Sequence, residues 1–300
     1  MYIIEHTSST AKNLNYIEIQ NKEKESYAKI YLDLGGSLQE LVLKNQTVIK
    51  EITNLSYTDT YASSILFPFA NRIKDGKYEF KGKTYQFDIN EKTLNNAIHG
   101  LVYNKTFEVV DKKTTETYAS VKLVYHEEKI SNGFPYTYAI YLEYILGQRT
   151  LDVKIKIENT DSKTFPFTIG WHPYFFSKDL FNSSIVFDSN LKVKLDNRNI
   201  TDIIVSNKEG NGFTVNNRDL DDCFVLDSNK VLFTTPNYNL TLKSSEKDNF
   251  LQLYTPPVEN IIAIEPTTGV SDSFNNGLGL KELEPNDIYS VSWNLEIDDF

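Results

Sequence analysis

Apolar and polar residues alternate with a period of two along most of this chain, which commits it to strands. Lys29-Ile30-Tyr31-Leu32-Asp33-Leu34 runs into Gly35-Gly36 and resumes from Ser37 to Leu43, the pattern of a hairpin around a Gly-Gly turn. Lys77 to Phe80 and Thr84 to Phe87 flank Lys81-Gly82-Lys83 as a second hairpin, and Tyr138 to Ile145 and Leu151 to Ile157 flank Gly147 as a third. Thr106 to His126 alternates throughout, with a polar turn expected near Lys112 to Thr115. Further strands are predicted at Ser184 to Phe187, Leu191 to Leu195, Val231 to Thr234, Asn239 to Leu242, Phe250 to Tyr254, Ile261 to Ile264 and Tyr289 to Leu295. No segment carries a capped 3.6-residue stripe.

Strands at this spacing, separated by turn signals, predict an all-β fold: a large antiparallel β-sandwich of two stacked sheets. The 19 Tyr and 18 Phe suit the half-buried surface of a pleated sheet. There is neither a fixed-period repeat nor a Pro/Ser/Gly-rich linker, so residues 1–300 are expected to form one domain. The polar stretch from Asn197 to Arg218 is expected to be a long surface excursion, placed over a site.

A formal net charge of −10 argues against nucleic acid, whose binding rests on Lys and Arg neutralising phosphates, and against anionic membranes. A neutral polyol is a better match. Cys223 is the single cysteine, so no disulfide can form within the chain. The first residues lack a basic region followed by a long apolar one, and no apolar run approaches the ~20 residues of a membrane span. The expectation is a soluble, cytoplasmic protein, monomeric or homodimeric.

Two residues concentrate the chemistry. In Ile261-Ile262-Ala263-Ile264-Glu265-Pro266 a carboxylate ends an Ile-rich strand. Burying it unpaired costs several kcal/mol, so it is either a rim group facing water or a group held in place for a task. In Trp171-His172-Pro173-Tyr174-Phe175 an imidazole sits in an apolar frame. Pro173 pushes His172 toward an extended backbone, and Trp171, Tyr174 and Phe175 are expected to wall the ring. His172 is either a core histidine donating to a carbonyl or one half of an acid–base pair with Glu265, the two set at opposite edges of one hollow. Thr267, Thr268 and Gly269 are placed to orient Glu265.

Other clusters admit two readings each. Arg72 emerges from the apolar Ile65 to Ala70 run, next to Asn71, as a rigid fork for a ligand oxygen or as the partner of a nearby carboxylate. His99 precedes Gly100, a residue that permits close approach of backbone or ligand. Asp221 and Asp222 enter a strand, as a solvated turn or with one of them, Asp221 by preference, facing inward. His6, near a terminus expected to fray, and His126, in a strand among Glu127 and Glu128, carry no functional signal, and the histidine spacings give no metal site. Gly-x-Ser-x-Gly, P-loop, dinucleotide and zinc patterns are all missing from the sequence. Side-chain acid–base work without a cofactor is what remains.

Asn71-Arg72-Ile73, Asn96-Ala97-Ile98-His99-Gly100, Trp171-His172-Pro173-Tyr174-Phe175, Leu220-Asp221 with Phe224, Tyr254-Thr255-Pro256 and Glu265-Pro266 together resemble the aldose 1-epimerase (galactose mutarotase) family. Their order and rough spacing agree from about Leu66 to Pro266. The resemblance implies a large β-sandwich that interconverts the α and β anomers of a free monosaccharide. It implies that Glu265 removes the proton of the anomeric hydroxyl and that His172 protonates the ring oxygen. It further implies that Asn71, Arg72, His99 and Asp221 bind the sugar. Two departures mark a divergent member. Leu101 follows His99-Gly100 where galactose mutarotases carry a second glycine, and Asp222 stands where they carry histidine. The sugar therefore need not be galactose. There is no cluster of arginines to grip a hexose phosphate. The rival expectation is a carbohydrate-binding or sensing sandwich without turnover. A glycosidase would need a second acid about 5–9.5 Å from the first and would leave His172 without a role.

Overall fold

The computed structural model describes residues 1–9, 14–129, 131–247 and 249–298. Among them, strands form two large antiparallel sheets, of 13 and 9 strands, and three two-stranded ribbons. The larger sheet runs in space from Tyr2–Ser9 through Leu14–Asn21, Tyr27–Tyr31, Ser37–Leu43 and Gln46–Ile49. It continues through Tyr174–Phe176, Ile261–Thr267, Phe250–Tyr254, Asp221–Val225, Leu191–Leu195 and Thr201–Ser206. The smaller sheet begins Glu108–Thr114, Tyr118–Glu127, Tyr138–Gly147, Thr150–Asn159, Ile288–Asp298. The only helices among the described residues are single turns, Tyr57–Thr60 and Ser273–Asn276.

The period-two pattern explains how the sheets meet. In Thr150–Asn159, Leu151, Val153, Ile155 and Ile157 are buried while Lys154 is exposed, so one face packs and the other is wet. The inward faces of both sheets contribute to one continuous core. Trp171 of the larger sheet stacks on Trp293 of the smaller at 6.1 Å and 16°, and Phe175 meets Phe233 at 6.4 Å. Such ring pairs contribute about 1 kcal/mol each beyond the area they bury. Phe67 and Phe69 also belong to this core.

Three of the predicted hairpins form as expected, with Ser37–Leu43, Lys83–Gln86 and Thr150–Asn159 as their second strands. Other expectations need correction. Lys112 to Thr114 still belong to the strand Glu108–Thr114, and the turn comes after them. His6 sits within Tyr2–Ser9, paired with Ile17 across the ladder, so the start of the described chain is tied into the sheet. The stretch from Asn197 to Arg218 is not one loop: Thr201–Ser206 extends the larger sheet and Gly212–Thr214 the smaller. Its sparse apolar residues suit these two edge strands, in which no residue is fully buried. Finally, the strand begun at Ile261 does not stop at Glu265 but runs to Thr267.

Gly100 shows the close approach its neighbour sequence suggested. Its φ is +72°, and Leu101 donates its N–H to Phe67 O at 2.7 Å. A Cβ on Gly100 would lie 2.2 Å from Phe67 O. Gly100→Ala therefore meets both an unfavourable φ and a backbone clash. We expect it to lower stability by about 2 kcal/mol or more, read as a lower denaturant midpoint at unchanged m-value.

Candidate active site

Register on the larger sheet decides which side chains meet. Tyr174 pairs with Ala263, Gln252 with Glu265, and Asp221 with Tyr254. Side chains alternate across a pleat, so Ile262, Ile264, Leu251, Leu253, Phe224 and Phe175 all face the inter-sheet core. Tyr174, Glu265, Gln252, Tyr254 and Asp221 share the opposite face. Two small apolar clusters flank that face, one around Tyr174, Ile261 and Ala263 and one around Val193, Cys223 and Phe250. Between them, loops cover the sheet and enclose a cleft of about 620 Å³.

All six sequence-nominated residues line this cleft: Glu265, His172, Asn71, Arg72, His99 and Asp221. Glu265 is 3% exposed and His172 is 4% exposed. His172 Nε2 lies 3.4 Å from Glu265 Oε1. The two groups are thus neighbours on one wall, not at opposite edges as expected. The main chain of His172 is clamped on both sides, its N–H donating to Ser64 O at 3.1 Å and its carbonyl accepting from Ser63 N at 2.8 Å. Tyr174 lies against its ring at 4.9 Å. Trp171 and Phe175, also expected to wall the ring, alternate inward to the core instead. Thr267 and Thr268 do not orient Glu265: Thr267 Oγ1 donates to Gly269 O, and Thr268 Oγ1 accepts from Ile169 N.

His99, with φ +63°, packs edge-on against His172 at 5.1 Å and against Tyr61 at 4.7 Å. Its Nδ1 is buried without a hydrogen-bond partner, a cost a ligand oxygen could offset. Arg72 is the partner of a carboxylate, the second of its two readings, and does not use its whole fork for it. Nε and Nη2 grip Glu91 at 2.9–3.0 Å, and Nη1 donates to Asn71 Oδ1 at 3.1 Å. Of the five N–H groups of a guanidinium, two stay available beyond these contacts.

A polar line crosses the cleft floor. Asn71 Nδ2 donates to Gln252 Oε1 at 3.3 Å, Gln252 Nε2 to Asp221 Oδ1 at 2.7 Å, and Asn199 Nδ2 to Asp221 Oδ2 at 3.2 Å. Asp222, one residue on, projects to the other side and pairs with Lys192 at 2.8 Å, which decides between the two aspartates. Sequence reasoning missed Glu91, Gln252 and Asn199 as individual residues. Gln252 had a signal, a lone amide inside Phe250-Leu251-Gln252-Leu253-Tyr254. Asn199 lies in the polar stretch expected over a site, and Arg198 positions it by bonding Leu94 O and Asn95 O. Glu91 had none.

Burial governs the proton affinities. Desolvation lowers His172 from its ordinary 6.5 to about 4, with Arg72 adding to the effect. It lowers His99 well below the usual range, reinforced by His172 and Arg72. It raises Glu265 well above the usual carboxylate value, aided by Asp221 and opposed by Arg72. Asp221 is raised by the same cause, again opposed by Arg72. Carboxylic acid and imidazole together hold one proton, as do carboxylate and imidazolium, so the pair exchanges a proton internally without changing its count. Among the described residues no group of three or more His, Cys, Asp or Glu could hold a metal ion.

Comparison with known proteins adds a family. Residues 16–296 match the sequence profile of the family described as Aldose 1-epimerase. The uncharacterized proteins YihR and YphB of Escherichia coli K12 are 28% and 31% identical to this chain over 149 and 153 residues. The matched region spans about half of each: 49% of this chain and 47% of YihR, and 50% of both this chain and YphB. Among solved structures, a galactose mutarotase-like protein from Clostridium acetobutylicum has a TM-score of 0.87 at 23% identity, covering 99% of each chain. Galactose 1-epimerase from Lactobacillus acidophilus NCFM has a TM-score of 0.81 at 16% identity, covering 99% of this chain and 98% of its own. These likenesses identify the fold as the galactose mutarotase-like β-sandwich.

The protonation directions carry a sign that stability measurements can check. Above pH 4.5, an unfolded Glu265 releases its proton while the folded one retains it. The folded state then binds more protons, and stability falls as pH rises. For His172 the unfolded ring takes a proton below 6.5 while the folded ring stays neutral down to about 4, so stability falls as pH drops across that window. Glu265→Gln removes only the first contribution. Urea titrations should find the variant more stable than the parent, with a gap that widens as pH rises from 4.5. A gap that shrinks over that range would contradict the assignment.

Proposed function

We propose that this chain, which belongs to the aldose 1-epimerase family, interconverts the α and β anomers of a free monosaccharide by acid–base opening and reclosure of the ring. The observation that carries this reading is the His172–Glu265 pair, 3.4 Å apart on the dry wall of a cleft of about 620 Å³. The two oxygens to be served, the anomeric hydroxyl and the ring oxygen, are bonded to the same carbon. An acid and a base for this reaction therefore belong side by side, which is how the two groups stand.

In the opening step the Glu265 carboxylate takes the proton of the anomeric hydroxyl, and that oxygen's electrons form the C=O bond. The bond from the anomeric carbon to the ring oxygen breaks, and the ring oxygen takes its proton from the His172 imidazolium. The pair passes from carboxylate and imidazolium to carboxylic acid and imidazole. Rotation about the adjacent C–C bond turns the other face of the aldehyde to the released hydroxyl. Reclosure runs the transfers backward, with His172 as base and Glu265 as acid. Burial favours the neutral pair, which is the form that accompanies the open-chain aldehyde. Arg72 favours the Glu265 carboxylate and disfavours the His172 imidazolium.

The remaining groups supply position. Arg72 and the unpartnered Nδ1 side of His99 contact sugar oxygens, while Asn71 and Asp221 hold ring hydroxyls from the floor. Tyr61, Tyr174 and Tyr254 line the walls. The core shared by both sheets supports reading the chain as one domain with this cleft on its outer face.

Polarimetry or anomeric proton NMR on freshly dissolved α-glucose and α-galactose tests the reading. The protein should accelerate equilibration of at least one aldose. Glu265→Gln and His172→Gln should each lower kcat by about 10²–10⁴-fold, with far smaller changes in KM. A protein that binds aldoses but accelerates none of a broad panel is a carbohydrate-binding sandwich, and the epimerase reading then fails.

A further inference from the structure

Both oxygens of Asp221 already accept one amide hydrogen. Gln252 Nε2 donates to Oδ1 at 2.7 Å and Asn199 Nδ2 to Oδ2 at 3.2 Å. A carboxylate has about four lone-pair sites, so each oxygen keeps one for a hydroxyl. Gln252 belongs to the sheet itself, opposite Glu265 on the ladder. Asn199 comes from a turn, and nothing in the proposed reaction uses it. Its amide stays open on the far side. Among the described residues, no hydrogen bond reaches its Oδ1 or takes the second hydrogen of its Nδ2. Asn199 lines the cleft, so an acceptor and a donor stand there beside the Asp221 carboxylate.

Ladder register brings the turn to Asp221. Leu191–Leu195 pairs with Asp221–Val225, Val193 opposite Cys223, so the chain leaving Leu195 passes alongside Asp221. Asp196-Asn197-Arg198-Asn199-Ile200 then reverses direction into Thr201–Ser206. Asp196 Oδ1 accepts from the N–H of Arg198 at 2.8 Å and of Ile200 at 3.0 Å, which closes the turn. Asn199 takes a φ of +58°, a conformation that asparagine adopts more readily than most residues. Its carbonyl accepts from Ser271 Oγ at 2.8 Å.

Arg198 ties the turn to residues 94–96, of which Leu94 lines the cleft. Nε donates to Leu94 O at 2.9 Å and Nη2 to Asn95 O at 2.7 Å, while Asn96 Nδ2 donates back to Arg198 O at 3.0 Å. The same Asn96 amide donates to Glu91 Oε2 at 2.8 Å, and Glu91 grips Arg72. One polar frame therefore holds both Asn199 and Arg72. A side chain fixed before the ligand arrives loses little freedom on contact. Its hydrogen bonds then discriminate between ligands instead of adapting to each.

We infer that Asn199 is a specificity-determining contact, reading the same sugar hydroxyls as Asp221, and that Arg198 is the positioning residue that holds it there. The inference rests on the proposed epimerase reading for its turnover, but the contact itself shows in binding. Aldoses that differ in the configuration of one hydroxyl should be told apart. An ordinary hydrogen bond made by one of them and missed by the other is worth about tenfold. The test measures kcat and KM for glucose, galactose, mannose and xylose by anomeric NMR. In the parent the best and worst of these sugars should differ in kcat/KM by about tenfold or more. Asn199→Ala should compress that ratio by about fivefold or more, mainly by raising KM for the best sugar. Asn199→Gly, which accepts the left-handed turn without strain, should compress it equally, which separates loss of the amide from distortion of the turn. Arg198→Ala should compress the ratio with Asn199 still present, and a ratio equal to the parent's overturns its positioning role. A merely structural role would slow all four sugars by one factor. A ratio unchanged in both Asn199 variants, or a parent without preference, therefore overturns the inference while the epimerase reading survives. If no sugar is turned over, the epimerase reading falls and calorimetric affinities for the same sugars decide. A binding preference that both Asn199 variants lose upholds the contact, and a preference they keep, or equal or absent binding, overturns it.

Discussion

A sheet normally gives one face to the core and the other to water, but the central strands of this protein's larger sheet are covered on both. Ile262 and Ile264 face the interior shared with the smaller sheet, while Ala263 and Glu265 face a layer of loops. That second cover turns an ordinary strand position into a dry one, and everything proposed for the cleft depends on it. Without the loops Glu265 would be a solvated carboxylate with no reason to hold a proton. Beneath them, its charged form loses hydration that only Arg72, His172 and a ligand can replace.

The same dryness sets the division of labour within the cleft. Three ionisable groups near the reacting wall are driven toward their neutral forms: His172, His99 and Glu265. Among them stands the Arg72 guanidinium, gripped by Glu91 on two nitrogens. Its positive pole favours the Glu265 carboxylate and disfavours an imidazolium at either histidine. His99, edge-on to His172, is held neutral by both. The arrangement resists adding positive charge to the two histidines, which is what the proposed exchange of one proton between Glu265 and His172 requires.

Much of this was legible in the chain. Period-two alternation and Gly turns marked the hairpins, and the misplacement of a charge in Ile261 to Glu265 and of an imidazole in Trp171 to Phe175 marked the site. The failures have a common physical origin. Sequence near a residue reports that something is unusual there, but not which side of the pleat it takes. So Trp171 and Phe175 are expected beside the His172 ring, while alternation sends them into the core. Glu91 was invisible because its importance comes from Arg72, 19 residues earlier, and from no pattern around itself. The polar run from Asn197 to Arg218 concealed two edge strands, since strands that bury no residue fully need few apolar ones.

The floor of the cleft is assembled from strands distant along the chain, and their only common reference is the hydrogen-bond ladder. Gln252 faces the cleft because it stands opposite Glu265, and Asp221 because it stands opposite Tyr254. Loss of a single residue from Phe250–Tyr254 would shift that strand by half a pleat. Leu251 and Leu253 would then turn to the cleft and Gln252 into the hydrocarbon interior. Insertions in this lineage should thus be tolerated in the covering loops, where they would reshape the choice of sugar, and rejected in the ladder beneath. The protein has a replaceable lid over an unalterable grid.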